Sequence, residues 1–359
     1  IDPLDYWSTL EKSFIEKGDA SVLQSRTKNQ TEGLVAVQEF LEMVNNYLSV
    51  GGTEEAQALI DQAVALGNPF AASPLVYYYK AYVCLLEGNR GDAGAQLEKA
   101  NSLSHINQYP LRIEEVKMFD TLTAAFADNA FLHYHYGNLL YYIGQKEHGL
   151  AEWTRSTELD GTFAVALRNV GFAYGQKGEW QKAMGYYDRA IKANPDDALL
   201  FTESDKIYES ANVDAAARLK RLESNIKTVM KHDDAVMRLL SLYNVTGKYD
   251  KAIQIMHNRH FHLWEGGGQI HGIYADSHML KGMTLLAKKI YQKAIQEIDL
   301  ATKYPAYLEV APSYRGGYEA KAYYLAGEAY EGMKQAGKAQ EFYQKAAEAK
   351  CPGGLKDLS

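Results

Sequence analysis

The 359 residues predict an all-α fold, an α-α superhelix of about eight helical pairs stacked as a solenoid. Three observations carry that prediction. The first is a repeat. His133-x-x-Tyr136-Gly137-x-x-Leu140, Gly144, Gly149-x-x-x-Trp153 and Ser156 return as Leu167-x-x-Val170-Gly171-x-x-Tyr174, Gly178, Ala183-x-x-x-Tyr187 and Ala190, every partner displaced by 34 residues. The second is a pair of small residues set twelve apart, Gly171 with Ala183 and Ala81 with Ala93, where two antiparallel helices must approach closely. The third is punctuation. Pro195 follows Asn194 at the end of the second copy, and proline neither continues a helix nor lets its predecessor stay helical.

A 34-residue period with this order of small, aromatic and closing proline positions resembles the tetratricopeptide repeat, with His133 and Leu167 in place of the usual tryptophan. The resemblance implies two antiparallel helices per repeat, with Tyr174 and Tyr187 filling the seam to the next one. One such pair cannot bury its apolar face alone, so neighbours have to stack.

Taken in order, residues 1–35 read as an irregular helical lead-in, and residues 36–256 as tetratricopeptide-like repeats. Their first unit uses Val44, Tyr47, Gly51, Ala56, Ile60 and Ala63, with Thr53 expected to cap its second helix. The next uses Ala81, Cys84, Gly88, Ala93, Leu97 and Ala100, and Cys84 sits at an aromatic seam position, as a small core hydrophobe. The stretch from Ser102 to Pro110 breaks the pattern and precedes a helix expected over about Arg112 to Phe126. After Pro195 the pattern weakens, because Asp205 stands where a glycine is due. A unit returns at Leu239, Leu240, Tyr243, Gly247, Ala252 and Met256. Residues 257–278 form an insertion, 279–350 hold further repeats, and 351–359 are a tail.

Composition excludes several classes. With 47% apolar and 23% charged residues the chain has no long disordered tract, and a net charge of −7 argues against nucleic acid as the main partner. No run of eighteen apolar residues is present, so no membrane-spanning helix is expected. Two cysteines, Cys84 and Cys351, give neither a disulfide framework nor metal spacing, and do not decide the redox compartment. The start at Ile1-Asp2-Pro3 reads as the carboxy-terminal part of a longer or processed protein.

The insertion carries the chemistry. Five of the ten histidines fall within residues 257–278, and Gly266-Gly267-Gly268 rules out one continuous helix across it. Arg259-His260-Phe261-His262-x-Trp264-Glu265-Gly266-Gly267 with His278, Asp2-Pro3-Leu4-Asp5-Tyr6-Trp7, Tyr136-Gly137-Asn138-Leu139-Leu140-Tyr141 and Arg168-Asn169 together resemble a bacterial family of unknown function. That resemblance implies a β-rich upstream domain of carbohydrate-enzyme character before the helical array. Pro312-Ser313-Tyr314-Arg315-Gly316-Gly317 departs from the loop expected there.

Candidate ligand-binding residues in the insertion are His260, His262, Trp264, Glu265, His271, Asp276 and His278. An indole beside a carboxylate is what a sugar ring and its hydroxyls use, and Asp276 is a possible second carboxylate for glycoside chemistry. Zinc is the competing reading of the histidines, but no cysteine accompanies them and their spacing fits no zinc signature, so neither metal nor cofactor is expected. Packing and hydrogen bonding inside a tight loop is the plain alternative.

A second candidate is the concave groove lined by first helices, with Tyr134, Asn138, Tyr141, Arg168, Asn169 and Phe172 as its residues. The carboxylate-clamp members of the family need lysines and asparagines there. Phe172 occupies the second asparagine position and no lysine appears, which argues against a chaperone adaptor. The expectation is a non-catalytic scaffold for a protein, a peptide or its own upstream domain. The alternative is the helical part of a carbohydrate-processing enzyme, with an oligosaccharide at the 257–278 insertion.

Overall fold

The computed structural model describes residues 30–261, 269–303, 305–308 and 318–349. In chain order the α-helices are α1 (Gln30–Ser49), α2 (Thr53–Ala65), α3 (Pro74–Leu86), α4 (Arg90–Asn101), α5 (Glu115–Ala125), α6 (Ala130–Tyr142), α7 (Lys146–Leu159), α8 (Ala164–Gln176) and α9 (Trp180–Ala193). They continue as α10 (Ala198–Ser210), α11 (Ala215–Ser224), α12 (Ile226–Val229), α13 (Asp233–Val245), α14 (Tyr249–Asn258), α15 (Gln269–Ala287), α16 (Tyr291–Ala301), α17 (Tyr318–Gly332) and α18 (Ala336–Glu348). The described residues contain no strand. The fold class is all-α, of the α-α solenoid type, as expected. Setting aside the single helices α5 and α12 leaves eight consecutive couples.

The chain divides into two compact units, one running to Ala173 and one from Tyr174. In both, the couples turn by the same device. One residue per turn adopts positive φ: Gly51, Gly88, Gly144, Gly178 and Gly247, and, without glycine, Asn212, Lys289 and Lys334. The next amide then reaches back to the carbonyl at the aromatic seam position, as in Asn89 N to Cys84 O and Gln145 N to Leu140 O, both 2.8 Å. Val213 N to Tyr208 O at 3.0 Å and Gln335 N to Tyr330 O at 2.9 Å repeat it where the turn residue is Asn212 or Lys334. This left-handed cap satisfies carbonyls the helix end would otherwise leave open. Thr53 does not cap: it is the first helical residue, and Gly52 holds the cap position without a side-chain bond.

Close approach follows the twelve-residue rule. A Cβ on Gly137 would lie 2.9 Å from the Gly149 carbonyl, and one on Gly282 would lie 3.2 Å from that of Ala294. The first unit's core joins Phe40 to Phe70, rings 5.2 Å apart edge-on, and Tyr78 to Phe119 at 5.8 Å. The second unit has one apolar cluster around Phe201, Leu239 and Met256, and another around Met279, Ile298 and Ala322.

Asp205, at the glycine position of its repeat, is buried and replaces close backbone contact with charge. It accepts Arg218 Nε at 3.0 Å and Nη2 at 2.8 Å, and Arg238 Nε at 2.7 Å. Glu209 bridges the same two guanidinium groups from the surface. A buried carboxylate with two arginines is tolerable because each charge is paired and hydrogen-bonded.

Candidate functional site

The groove candidates all lie in the first unit. Asn129 starts α6 by accepting the amides of Phe131 and Leu132 at 3.1 and 3.2 Å. The missing side chain at Gly137 then lets the Cδ1–Nε1 edge of Trp153 of α7 come up against α6. Trp153 Nε1 donates to Asn138 Oδ1 at 2.9 Å, and Asn169 of α8 donates to the same oxygen at 3.1 Å. Arg168 donates to Asn169 Oδ1 at 3.3 Å. One asparagine oxygen therefore ties three helices together.

Around this amide core the aromatics form a graded series. Tyr141 stacks on Trp153, centroids 4.7 Å apart, and meets Phe172 edge-on at 6.3 Å. Lys146 Nζ lies 5.8 Å above the Tyr141 ring. Phe172 is 38% exposed and Tyr142 67%, whereas Tyr134 is only 3% exposed. Tyr134 packs edge-on against Phe163 at 4.8 Å, so it belongs to the core and is withdrawn from the groove surface. Burial raises its hydroxyl pKa, partly offset by the Asn138 side chain.

The insertion candidates separate. His262, Trp264 and Glu265 lie outside the described residues. His260 is exposed just after α14, beside Arg259, which is held by Asp233 at 2.8 Å and by the Met230 carbonyl at 2.9 Å. His271, Asp276 and His278 are not loop residues: they stand on α15. His271 Nε2 donates to the Lys303 carbonyl at 3.4 Å. Asp276 accepts the Tyr318 hydroxyl at 3.1 Å, and desolvation lifts its carboxyl pKa despite that bond and nearby Lys321.

His278 has a specific structural place. It is buried, with Nδ1 2.7 Å from Glu297, whose second oxygen takes Lys281 at 2.6 Å. His133 of the first unit does the same with Glu152 at 2.5 Å. Both histidines stand four residues before the close-approach glycine, Gly282 or Gly137, and nineteen before their glutamate. They occupy the repeat's tryptophan position and cross-link the two helices of a couple. Burial alone would push His133 down, but Glu152 and the Ala127 carbonyl, one acceptor at each ring nitrogen, raise it. Burial would raise Glu297, and His278 and Lys281 outweigh it to hold the carboxyl low. Among the described residues no three metal-ligating side chains converge.

One histidine pair has no sequence signal. His105, in the break after α4, stacks on Phe131 at 4.2 Å and shares a 2.9 Å hydrogen bond between its Nδ1 and His135 Nε2. Burial lowers His105 from 6.5 to about 4, and burial followed by the neighbouring His105 charge lowers His135 well below its usual value. The pair is neutral and fastens the irregular segment to α6.

Two stretches match models of the tetratricopeptide repeat, residues 164–197 and 320–350, so the chain carries that repeat. Similar solved structures include a tetratricopeptide repeat protein from Parabacteroides merdae, 13% identical over 82% of this chain and 98% of that one, TM-score 0.34. The C-terminal part of a repeat-containing protein from Cytophaga hutchinsonii is 13% identical over 75% and 98%, TM-score 0.39. YrrB, described as a TPR protein with an unusual peptide-binding site, is 18% identical over 65% and 92%, TM-score 0.29. No helix of the described residues is long and apolar enough to cross a membrane.

Proposed function

We propose that this chain is a non-catalytic tetratricopeptide scaffold whose first unit holds an extended segment of a protein partner along α6 and α8. The observation that carries the reading is the exposure of Phe172 and Tyr142 beside side chains that are already fixed. Trp153, Asn138, Asn169 and Tyr141 are locked by one another, so a partner meets aromatic surface whose ordering cost has been met on folding. Aromatic anchors on a rigid base are what concentrates binding energy in protein interfaces. The partner is a separate protein or a segment of the same protein upstream of Ile1, as the narrower family resemblance implies.

The test is a calorimetric titration of the chain with a panel of short capped peptides and, in parallel, short oligosaccharides. The reading expects peptides that bind the parent chain and lose about tenfold in affinity in the double variant Tyr142→Ala, Phe172→Ala, with unchanged circular dichroism. A panel in which only oligosaccharides bind, or in which the double variant binds peptides unaltered, would overturn it.

A further inference from the structure

The segment between α4 and α5 is a strap laid across the first helices of the first unit. His105 stacks on Phe131 in the first turn of α6, and Ser73, just before α3, donates to Gln108 at 2.9 Å. Gln38 of α1 donates to the Tyr109 carbonyl at 3.2 Å, and Arg112 donates back to Gln38 Oε1 at 2.6 Å. The amides of Leu111 and Arg112 end on the buried carboxylate of Glu115, at 2.8 and 2.9 Å. Polar groups fix this strap.

Its apolar groups face the other way. Gln108, Pro110 and Arg112 turn inward, and between them Tyr109, Leu111 and Ile113 turn to solvent. With Ile106, 72% exposed, and Ile113, 68% exposed, that makes four exposed large apolar side chains in eight residues. Among the described residues no other stretch of that length holds more than two. Single exposed apolar residues are ordinary, but a cluster on a fixed backbone marks a surface that another segment covers.

The position of α1 says which segment. Helices α3, α6 and α8 each begin nineteen residues before the small residue of their partner helix, Ala93, Gly149 or Ala183, whereas α1 begins 26 before Ala56. It therefore runs about 10 Å further than they do, two turns past the point where Gln38 holds the strap. Residues 1–29, which lie outside the described residues, join the chain there. Their sequence predicts a helix over Pro3 to Lys17, with Asp2 at the cap, proline at the first position and Gly18 beyond the end. Leu4, Trp7, Leu10 and Phe14 share one face of that helix, and Asp5, Thr9, Lys12 and Glu16 the opposite one. Residues 18–29 can span about 40 Å, enough to bring that face back onto the strap.

We propose that the apolar side of the strap is the docking surface for this chain's own lead-in, residues 3–17. Leu4, Trp7 and Phe14 cover Ile106, Tyr109, Leu111 and Ile113, and the charged face of the helix takes their place in solvent. The lead-in then serves as the polar cap that a helical array needs at its first couple. This surface stands apart from the reading of α6 and α8, since neither Tyr142 nor Phe172 takes part in it.

Hydrogen exchange of the full chain, followed in peptides from residues 1–29, tests the proposal. Residues 3–17 should be protected at every protein concentration. They should exchange about tenfold faster in the double variant Ile106→Ser, Ile113→Ser, with the amides of α1 and α3 unchanged. Both isoleucines are exposed, so the variant removes the docking surface and leaves the core intact. A benzophenone amino acid replacing Ile113 should also cross-link to residues 3–17 of its own chain, and lose that product in Trp7→Ser with Phe14→Ser. If the isoleucine variant melts early, the cross-link decides. Unprotected residues 3–17, protection that ignores the isoleucine variant, or cross-links elsewhere in the chain overturn the proposal. Cross-links between chains that grow with concentration also overturn it, and assign the surface to a second copy.

Discussion

Gly137→Ala sets two opposed effects of one methyl group against each other. In a helix interior, glycine to alanine is worth about 1 kcal/mol in favour of folding. At Gly137 the new methyl would sit 2.4 Å from Trp153 Cδ1, 2.7 Å from its Nε1 and 2.9 Å from the Gly149 carbonyl, where ordinary contact begins near 3.4 Å. Relief needs a shift of about 1 Å. The indole is held by Asn138 on its polar edge and Tyr141 on its face, and the Gly149 carbonyl is backbone. Overpacking of this kind costs about 3 kcal/mol, the upper end of the usual range, so the net change is about 2 kcal/mol of destabilisation. Gly185→Ala in α9 is the control, because a methyl there meets nothing within 4 Å, and stability should rise by up to about 1 kcal/mol. Repeat arrays open locally, so the assay is hydrogen exchange resolved to individual helices. Amides of α6 and α7 should exchange about thirtyfold faster in Gly137→Ala, and those of α9 more slowly in Gly185→Ala. Unchanged or slower exchange in Gly137→Ala would refute the argument that the couples are spaced by missing side chains.

Three further outcomes follow from the same geometry. Asp205→Ala leaves Arg218 buried with only Glu209 and should cost about 3 kcal/mol in urea unfolding, whereas Glu209→Ala, on the surface, should cost under about 1 kcal/mol. An NMR titration of the histidines should show His105 protonating near pH 4 and His133 above 6.5. The signs differ: His105 binds fewer protons folded than unfolded, so its contribution is complete above 6.5 and is lost as pH falls toward 4, while that of His133 is complete below 6.5 and is lost as pH rises through its raised folded value. Phe172→Ala alone should leave the melting temperature within about a degree or two of the parent, since the ring is partly exposed, yet weaken any peptide bound along α8.

The repeat was legible because its causes are local. Small residues twelve apart, as in Gly137 with Gly149 and Gly282 with Ala294, mark couples in close contact, and Gly88 or Gly144 marks a turn that demands positive φ. Where other residues tolerate that φ the signal fades. Asn212 is recoverable, being 34 residues after Gly178, but Lys289 and Lys334 carry no mark of the turn they make. The helix expected over 112–126 runs Glu115–Ala125, because the chain before it is still turning. His278 shows how a broken frame misleads. Grouped with the histidines of the insertion it resembles a ligand, whereas counted back from Gly282 it matches His133 and predicts a glutamate nineteen residues on. His105 and His135 meet across thirty residues that include α5, and nothing in either neighbourhood announces it.

The direct test of the scaffold reading is hydrogen exchange of the whole chain with and without a peptide selected for binding to it. Slowed exchange at α6 and α8, abolished by Tyr142→Ala with Phe172→Ala, is the predicted result. Protection that leaves α6 and α8 untouched, or no binding peptide from a diverse library, would contradict it.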